Sequence, residues 1–234
     1  MAQVVVIFST KGGTGKTLIA SNVAVSLVKD EVKRVCLIDL DLHAVGDMAR
    51  MLDIAPQRCA IDFIAAMKRP NAEFKKESYL MRTSQGVDYL AGVLRPQQAS
   101  HLEAERIKDI FTALQKDYDY LIVDAGSTFT EVLITALNQA NLILFVVTPD
   151  ILSIYQTKWA LDTLQFLHFP LSMVRLVLNR AESVASISWQ EVRVTLPIEI
   201  IERIPSEGRT VGQAVNSGVP VVVDNPRSKV SLSI

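Results

Sequence analysis

The segment from Ser9 to Thr17 reads Ser-Thr-Lys-Gly-Gly-Thr-Gly-Lys-Thr. It follows the apolar run Val4-Val5-Val6-Ile7-Phe8 and opens an amphipathic stretch. Glycines let a backbone turn its N–H groups inward around an anion, and a helix N-terminus adds partial positive charge. In such a loop Lys16 is placed to reach the β- and γ-phosphates of a nucleotide, and the Thr17 hydroxyl to ligate Mg²⁺. The general phosphate-loop pattern, G-x-x-x-x-G-K-[ST], needs glycine where this chain has Thr10. What distinguishes this version is a second lysine, Lys11, at the start of the loop.

Carboxylates follow at the ends of two other apolar runs. The sequence Ile38-Asp39-Leu40-Asp41-Leu42 predicts two acidic side chains on one face of a strand, at the carboxyl edge where ligands bind in open α/β sheets. Asp39 is expected to hold Mg²⁺ through its water shell. Asp124, ending Tyr120-Leu121-Ile122-Val123 and followed by Ala125-Gly126-Ser127, suits binding of a Mg²⁺-ligated water. The Asn-Lys-x-Asp motif of guanine-specific GTPases does not occur, which favours ATP.

These groups need a scaffold. Val35-Cys36-Leu37-Ile38, Leu142 to Val147 and Val174 to Leu178 join the runs above as short apolar segments, the pattern of parallel strands covered on both faces. Between them lie helical stripes: Ala20, Val23, Ala24 and Leu27; Ile107, Ile110, Phe111 and Leu114; Leu161, Leu164 and Leu167. Strand–helix alternation throughout predicts one α/β domain over residues 1–234, a doubly wound, mostly parallel sheet with helices on both faces. The polar stretch from Lys68 to Glu77 reads as a solvated helix–loop. Met48 and Met51 read as core packing, and Trp159 and Trp189 as half-exposed helical residues.

Composition narrows the function. The 234 residues carry 24 Lys+Arg against 25 Asp+Glu, so no basic excess points to nucleic acid. Two cysteines, Cys36 and Cys59, and three scattered histidines make no metal-ligand spacing, and the count suits a reduced cytosolic protein. No apolar run approaches the ~18–20 residues of a membrane span and no signal-peptide pattern opens the chain, so a soluble, cytoplasmic protein is expected.

The segment Lys11 to Thr17 resembles the deviant Walker A loop of the MinD/ParA ATPases, and the likeness extends over nearly the whole chain. The resemblance implies a P-loop NTPase fold of the SIMIBI type and an ATPase using ATP and Mg²⁺. It implies nucleotide contacts from Gly12, Gly13, Thr14, Gly15, Lys16, Thr17 and Leu18, although relatives usually carry Thr or Ser at position 18. Lys11 corresponds to the lysine that reaches across a nucleotide-sandwich homodimer, where it stabilises the transferring phosphoryl group as an arginine finger does. Asp41 matches the aspartate that orients the attacking water, and Asn179 with Arg180 the adenine-binding site. Pro205 and Glu207 match a loop that closes over the base through its main chain. Proline, common after the aspartate at position 124, is replaced by Ala125-Gly126.

Softer features resemble the CpaE/TadZ group of Flp/Tad pilus-assembly ATPases. These are Asp39 to Leu42 with Gly46-Asp47, Tyr89-Leu90-Ala91-Gly92 leading to Arg95-Pro96, Leu152-Ser153-Ile154, and the tail from Ala214 to Ser228. That branch implies a partner in a pilus, secretion or positioning machine, and recruitment to a cell pole or membrane by partners. Its members commonly carry an N-terminal receiver-like domain, which is missing before Met1. The seven residues after Arg227 are too short for the basic membrane helix of a MinD-type protein. A nitrogenase-like iron protein needs two cluster cysteines, whereas Cys36 sits within a strand. Two other readings stand beside the switch: a ParA-like DNA-partition ATPase, and a nucleotide-binding scaffold with little hydrolysis.

Overall fold

The structure is a computed structural model that describes residues 1–69, 74–183 and 187–234. The solvated reading of the Lys68–Glu77 stretch therefore lies partly outside the described residues, at 70–73. Eight strands form one sheet: β1 (Gln3–Phe8), β2 (Val35–Asp39), β3 (Met81–Arg82), β4 (Asp88–Ala91), β5 (Tyr120–Asp124), β6 (Leu142–Val147), β7 (Val174–Asn179) and β8 (Ile200–Ile204). The helices are α1 (Lys16–Lys29), α2 (Asp47–Met51), α3 (Ala60–Met67), α4 (Ile107–Leu114), α5 (Glu131–Leu137), α6 (Ile151–Phe166), α7 (Trp189–Thr195), α8 (Gly208–Ser217), α9 (Val221–Asp224) and α10 (Lys229–Leu232). The strand order is β3-β4-β2-β5-β1-β6-β7-β8, with every pair parallel except β3–β4.

Parallel pairing requires crossover connections, and these place helices on both faces. One core, with Val4, Val6 and Phe8 from β1, packs beneath α3, α4, α5 and α6; the other, with Val5 and Ile7, packs beneath α1, α2 and the C-terminal helices. Being covered on both sides is why the central strands read as unbroken apolar runs. The order also puts β1 between β5 and β6, where the winding reverses. The loop after β1 thus opens into the crevice at the switch point, the usual ligand site of this architecture.

The stripe on α4 is buried throughout, at Ile107, Ile110, Phe111 and Leu114. On α1 the outcome differs. Val23 and Leu27 are half-buried, while Ser21 and Asn22 are buried with Ala20 and Ala24. The cause is a second layer over α1: Asn22 Nδ2 donates to Leu18 O (2.8 Å) and its Oδ1 accepts from Val222 N (3.1 Å), tying down the C-terminal segment. Leu167 also departs from expectation. It lies just past the end of α6 and is exposed, because the chain turns there into Phe169. Met48 is buried, but Met51 is only half-buried and faces the cleft described below. Cys36 and Cys59 belong to the cores on opposite faces of the sheet, so within the chain they do not converge.

Candidate nucleotide site

Residues Ser9–Gly15 link β1 to α1 and brace themselves before anything binds. Ser9 Oγ lies 2.9 Å from Lys11 O and 2.8 Å from Thr14 Oγ1. Gly15, the residue ahead of α1, has φ +97°, and a Cβ there would stand 2.4 Å from Asn179 Nδ2. Glycine is needed for both reasons: the left-handed turn aims the loop amides inward, and the close approach seats Asn179 against the loop. Asn179 ends β7 across the crevice, is 5% exposed, and donates through Nδ2 to Thr14 O at 2.7 Å. Arg180 follows in the left-handed region at φ +57°, its N–H donating to Asn179 Oδ1.

A cleft of about 870 Å³ opens above this loop. Gly12, Gly13, Gly15, Lys16, Thr17 and Leu18 of the loop line it together with Asp41, Asn179, Arg180, Pro205 and Glu207. Thr14 is not among them, since its side chain is buried under the loop against Ser9. The Glu207 carboxylate is already engaged, accepting from Val230 N at 2.9 Å, and Val230 lines the same cleft.

Asp39 and Asp124 are register partners at the ends of adjacent strands, on the face that packs α1, beneath the cleft. They are differently served. Asp39 Oδ2 accepts from the Tyr89 hydroxyl (3.0 Å) and Oδ1 from Asp41 N (3.1 Å). Asp124 is wholly buried, yet its Oδ2 has no hydrogen-bond partner. Burial, the neighbouring Asp124 charge and Asp41 hold the Asp39 carboxyl well above the usual range, against the Tyr89 and Asp41 donors. Burial also lifts Asp124, to about 6; the Thr17 hydroxyl and Lys16 ammonium pull it down, and Asp41 pushes it up. A buried lone pair without a donor, beside a lysine and a hydroxyl, is what a hydrated cation would satisfy. Among the described residues no three His, Cys, Asp or Glu side chains form a metal cage. Mg²⁺ keeps most of its waters and relies on one or two carboxylates plus phosphate oxygens, a demand that one bare buried carboxylate beside the phosphate loop can meet.

One sequence expectation is corrected. Asp39 and Asp41 do not share a strand face, because β2 stops at Asp39. The Asp39 carboxyl captures the Asp41 amide, Leu42 N turns back to Leu40 O (3.0 Å), and Asp41 Oδ1 accepts from His43 N and Ala44 N (both 3.2 Å). The turn carries Asp41 out over the cleft.

Lys11 lies outside the cleft wall. Its Nζ donates to both carboxylate oxygens of Asp150, each at 2.8 Å. Asp150 caps α6 by accepting from Ser153 N (3.0 Å), and it also accepts from Thr148 Oγ1 (2.7 Å). Burial works against the Asp150 charge, but these donors hold its carboxyl below the usual range. Sequence reading missed Asp150; its signal was an aspartate three residues past the β6 run, at the same sheet edge as the loop. Tyr89 was noticed only for its family resemblance.

Comparison with known proteins agrees with this architecture. The chain matches, over residues 1–233, the family model described as ParA, NUBPL iron-transfer P-loop NTPase. It is 27% identical over 237 residues to the septum site-determining protein MinD of Thermotoga maritima, covering 99% of this chain and 84% of that protein. The crystal structure of a ParA family ATPase from Chlorobium tepidum superposes with a TM-score of 0.90 at 24% identity, covering 99% of this chain and 95% of that one. MinD from Pyrococcus horikoshii, complexed with Mg-ADP, superposes with a TM-score of 0.85 at 21% identity, covering 100% and 93%. MinD/ParA proteins bind ATP with Mg²⁺ and hydrolyse it. With the family model spanning nearly its full length and the phosphate loop at the switch point of the sheet, the chain belongs to the MinD/ParA family of P-loop ATPases.

Proposed function

We propose that residues 1–234 act as one ATPase domain with a deviant Walker A loop: a switch that binds ATP and Mg²⁺, dimerises, hydrolyses slowly and thereby positions or assembles a cellular machine. The observation that carries this reading is the division of labour between the two loop lysines. Lys16 is 5% exposed, lines the cleft and faces Asp124. Lys11 is about one-third exposed and held at the rim by Asp150. A lysine needed only for the chain's own nucleotide has no reason to be stored outside the cleft; one that serves a second copy does.

In this reading the loop amides from Gly12 to Leu18 cradle the phosphates, Lys16 neutralises the β- and γ-oxygens, and Asn179, Arg180, Pro205 and Glu207 receive the adenine. Thr17 and Asp124 would hold Mg²⁺ directly or through its waters, and the ion would offset charge on the phosphate oxygens; Asp39, expected from sequence to share that task, has both oxygens taken by Tyr89 and the Asp41 amide and sets the turn instead. Asp41 orients a water toward the γ-phosphorus as the bond to the ADP oxygen breaks, and Lys11 of each copy stabilises the other's transferring phosphoryl group. Relatives supply the biological frame: a MinC:MinD complex from Aquifex aeolicus superposes with a TM-score of 0.80 at 24% identity. The features shared with the CpaE/TadZ group favour a pilus or secretion machine as the client, with partners bringing the protein to a pole or membrane. No helix of the described residues is long and apolar enough to cross a membrane.

Size-exclusion chromatography with light scattering on Asp41→Ala tests the switch. With ADP the expected mass is that of one chain, 25.9 kDa; with ATP and Mg²⁺ it should double. One mass under both conditions contradicts the switch and leaves a nucleotide-binding scaffold. DNA affinity that requires ATP and falls steeply with salt would move the client to a partition complex.

A further inference from the structure

We propose that Tyr89 is a positioning residue for hydrolysis: through Asp39 it fixes the turn that aims Asp41. The inference rests on the ATPase reading above. Tyr89 stands opposite Leu37 in the β2–β4 register, on the sheet face that also carries Asp39 two residues further on. Its ring lies diagonally along that face, 1% exposed, and the hydroxyl donates to Asp39 Oδ2 at 3.0 Å. The end of β4 can close this tightly because Gly92 follows: a Cβ there would lie 2.4 Å from Asp39 O. With Oδ2 held, the Asp39 carboxyl has a single orientation, and Oδ1 meets the Asp41 amide at 3.1 Å. That bond ends β2 and starts the turn in which Asp41 Oδ1 accepts from the amides of His43 and Ala44.

The chain of contacts runs from a buried hydroxyl to a carboxylate in the cleft, and Tyr89 itself does not line the cleft. A residue that works this way should affect turnover without affecting nucleotide capture. Misplacing a catalytic group by an ångström or less costs one to two orders of magnitude in rate. Loss of a buried phenol hydroxyl with the ring retained leaves packing almost intact, so Tyr89→Phe is the variant of choice.

Three measurements decide it. In Tyr89→Phe, kcat for ATP should fall about tenfold, while KM for ATP, the Kd for ADP and the Mg²⁺ concentration for half-maximal rate stay within twofold. Amide hydrogen exchange without nucleotide should quicken in residues 40–46 and nowhere else. Unchanged exchange and unchanged kcat overturn the proposal. A shifted Mg²⁺ requirement also overturns it, placing the tyrosine with the metal rather than with Asp41. Exchange quickened across the whole sheet would mean that the hydroxyl only stabilises the fold. If the unaltered protein binds ATP but does not turn it over, the ATPase reading fails, and the exchange result still judges the Tyr89–Asp39–Asp41 linkage separately.

Discussion

The ends of β2 and β5 present the same side chain at the same depth, in register, yet do different work. Asp39 is saturated by donors from the protein: a tyrosine hydroxyl on one oxygen and a backbone amide on the other. Asp124 keeps one oxygen bare while lying fully buried beside the Lys16 and Thr17 side of the loop. The first arrangement fixes geometry, because each bond restricts the next residue. The second holds capacity in reserve, at an energetic cost that only a cation relieves. Position in a motif would rank both aspartates alike as metal groups. The hydrogen bonds separate them.

Removing the positive charge on the Asp124 side should have the largest effect. Lys16→Ala takes away the charge that faces both phosphate and Asp124, and nucleotide affinity measured by calorimetry should fall by about 100-fold or more. An intact affinity would detach Lys16 from phosphate binding altogether.

Asp124→Asn sharpens the contrast through stability. Burial lifts the carboxyl to about 6, so ionising it at pH 7 costs the folded protein stability. Asparagine removes that cost, and without nucleotide or Mg²⁺ the variant should melt a few degrees higher than the parent. A lower Tm would mean that the ionised carboxylate is already compensated within the protein.

The sign of the pH dependence follows from the same shift. A carboxyl whose folded pKa is raised favours folding in its neutral form. In the metal-free parent, the Asp124 contribution is therefore greatest below about pH 4 and is lost as pH rises through about 6. The Tm gap between Asp124→Asn and the parent should accordingly open between those values and stay constant above them. A gap that closes as pH rises would reverse the assignment.

The smallest effect on stability belongs to Lys11. Its pair with Asp150 is one-third exposed on the lysine side, so releasing it by Lys11→Ala should cost less than about 1 kcal/mol of stability. ATP binding should survive that change while dimer formation or hydrolysis is lost. Full turnover by this variant would remove the trans-acting role.

Much of this was legible in the chain. The five buried strands announced themselves because parallel strands covered on both faces carry no polar alternation. The loop was equally plain, since glycines and a Lys-Thr pair at the mouth of a helix leave few other readings. Strand β8 was not, because it is an edge strand whose Ile201, Glu202 and Arg203 are all exposed, so it carries no apolar run. The placement of Asp41 failed for a local reason: a strand extrapolated by alternation gives no warning that a carboxylate will capture the amide two residues on. Asp150 was out of reach for a global one, as it meets Lys11 across 139 residues of chain. Spacing finds groups that one element carries; it does not find partners that topology assembles.

The most direct test is a calorimetric titration of ADP into the parent, Asp124→Asn and Asp39→Asn, each with Mg²⁺ and with EDTA. The parent should gain about tenfold in affinity from Mg²⁺, Asp124→Asn should lose that gain, and Asp39→Asn should keep most of it. Loss of the gain in Asp39→Asn with retention in Asp124→Asn would contradict the division of roles between the two strand ends.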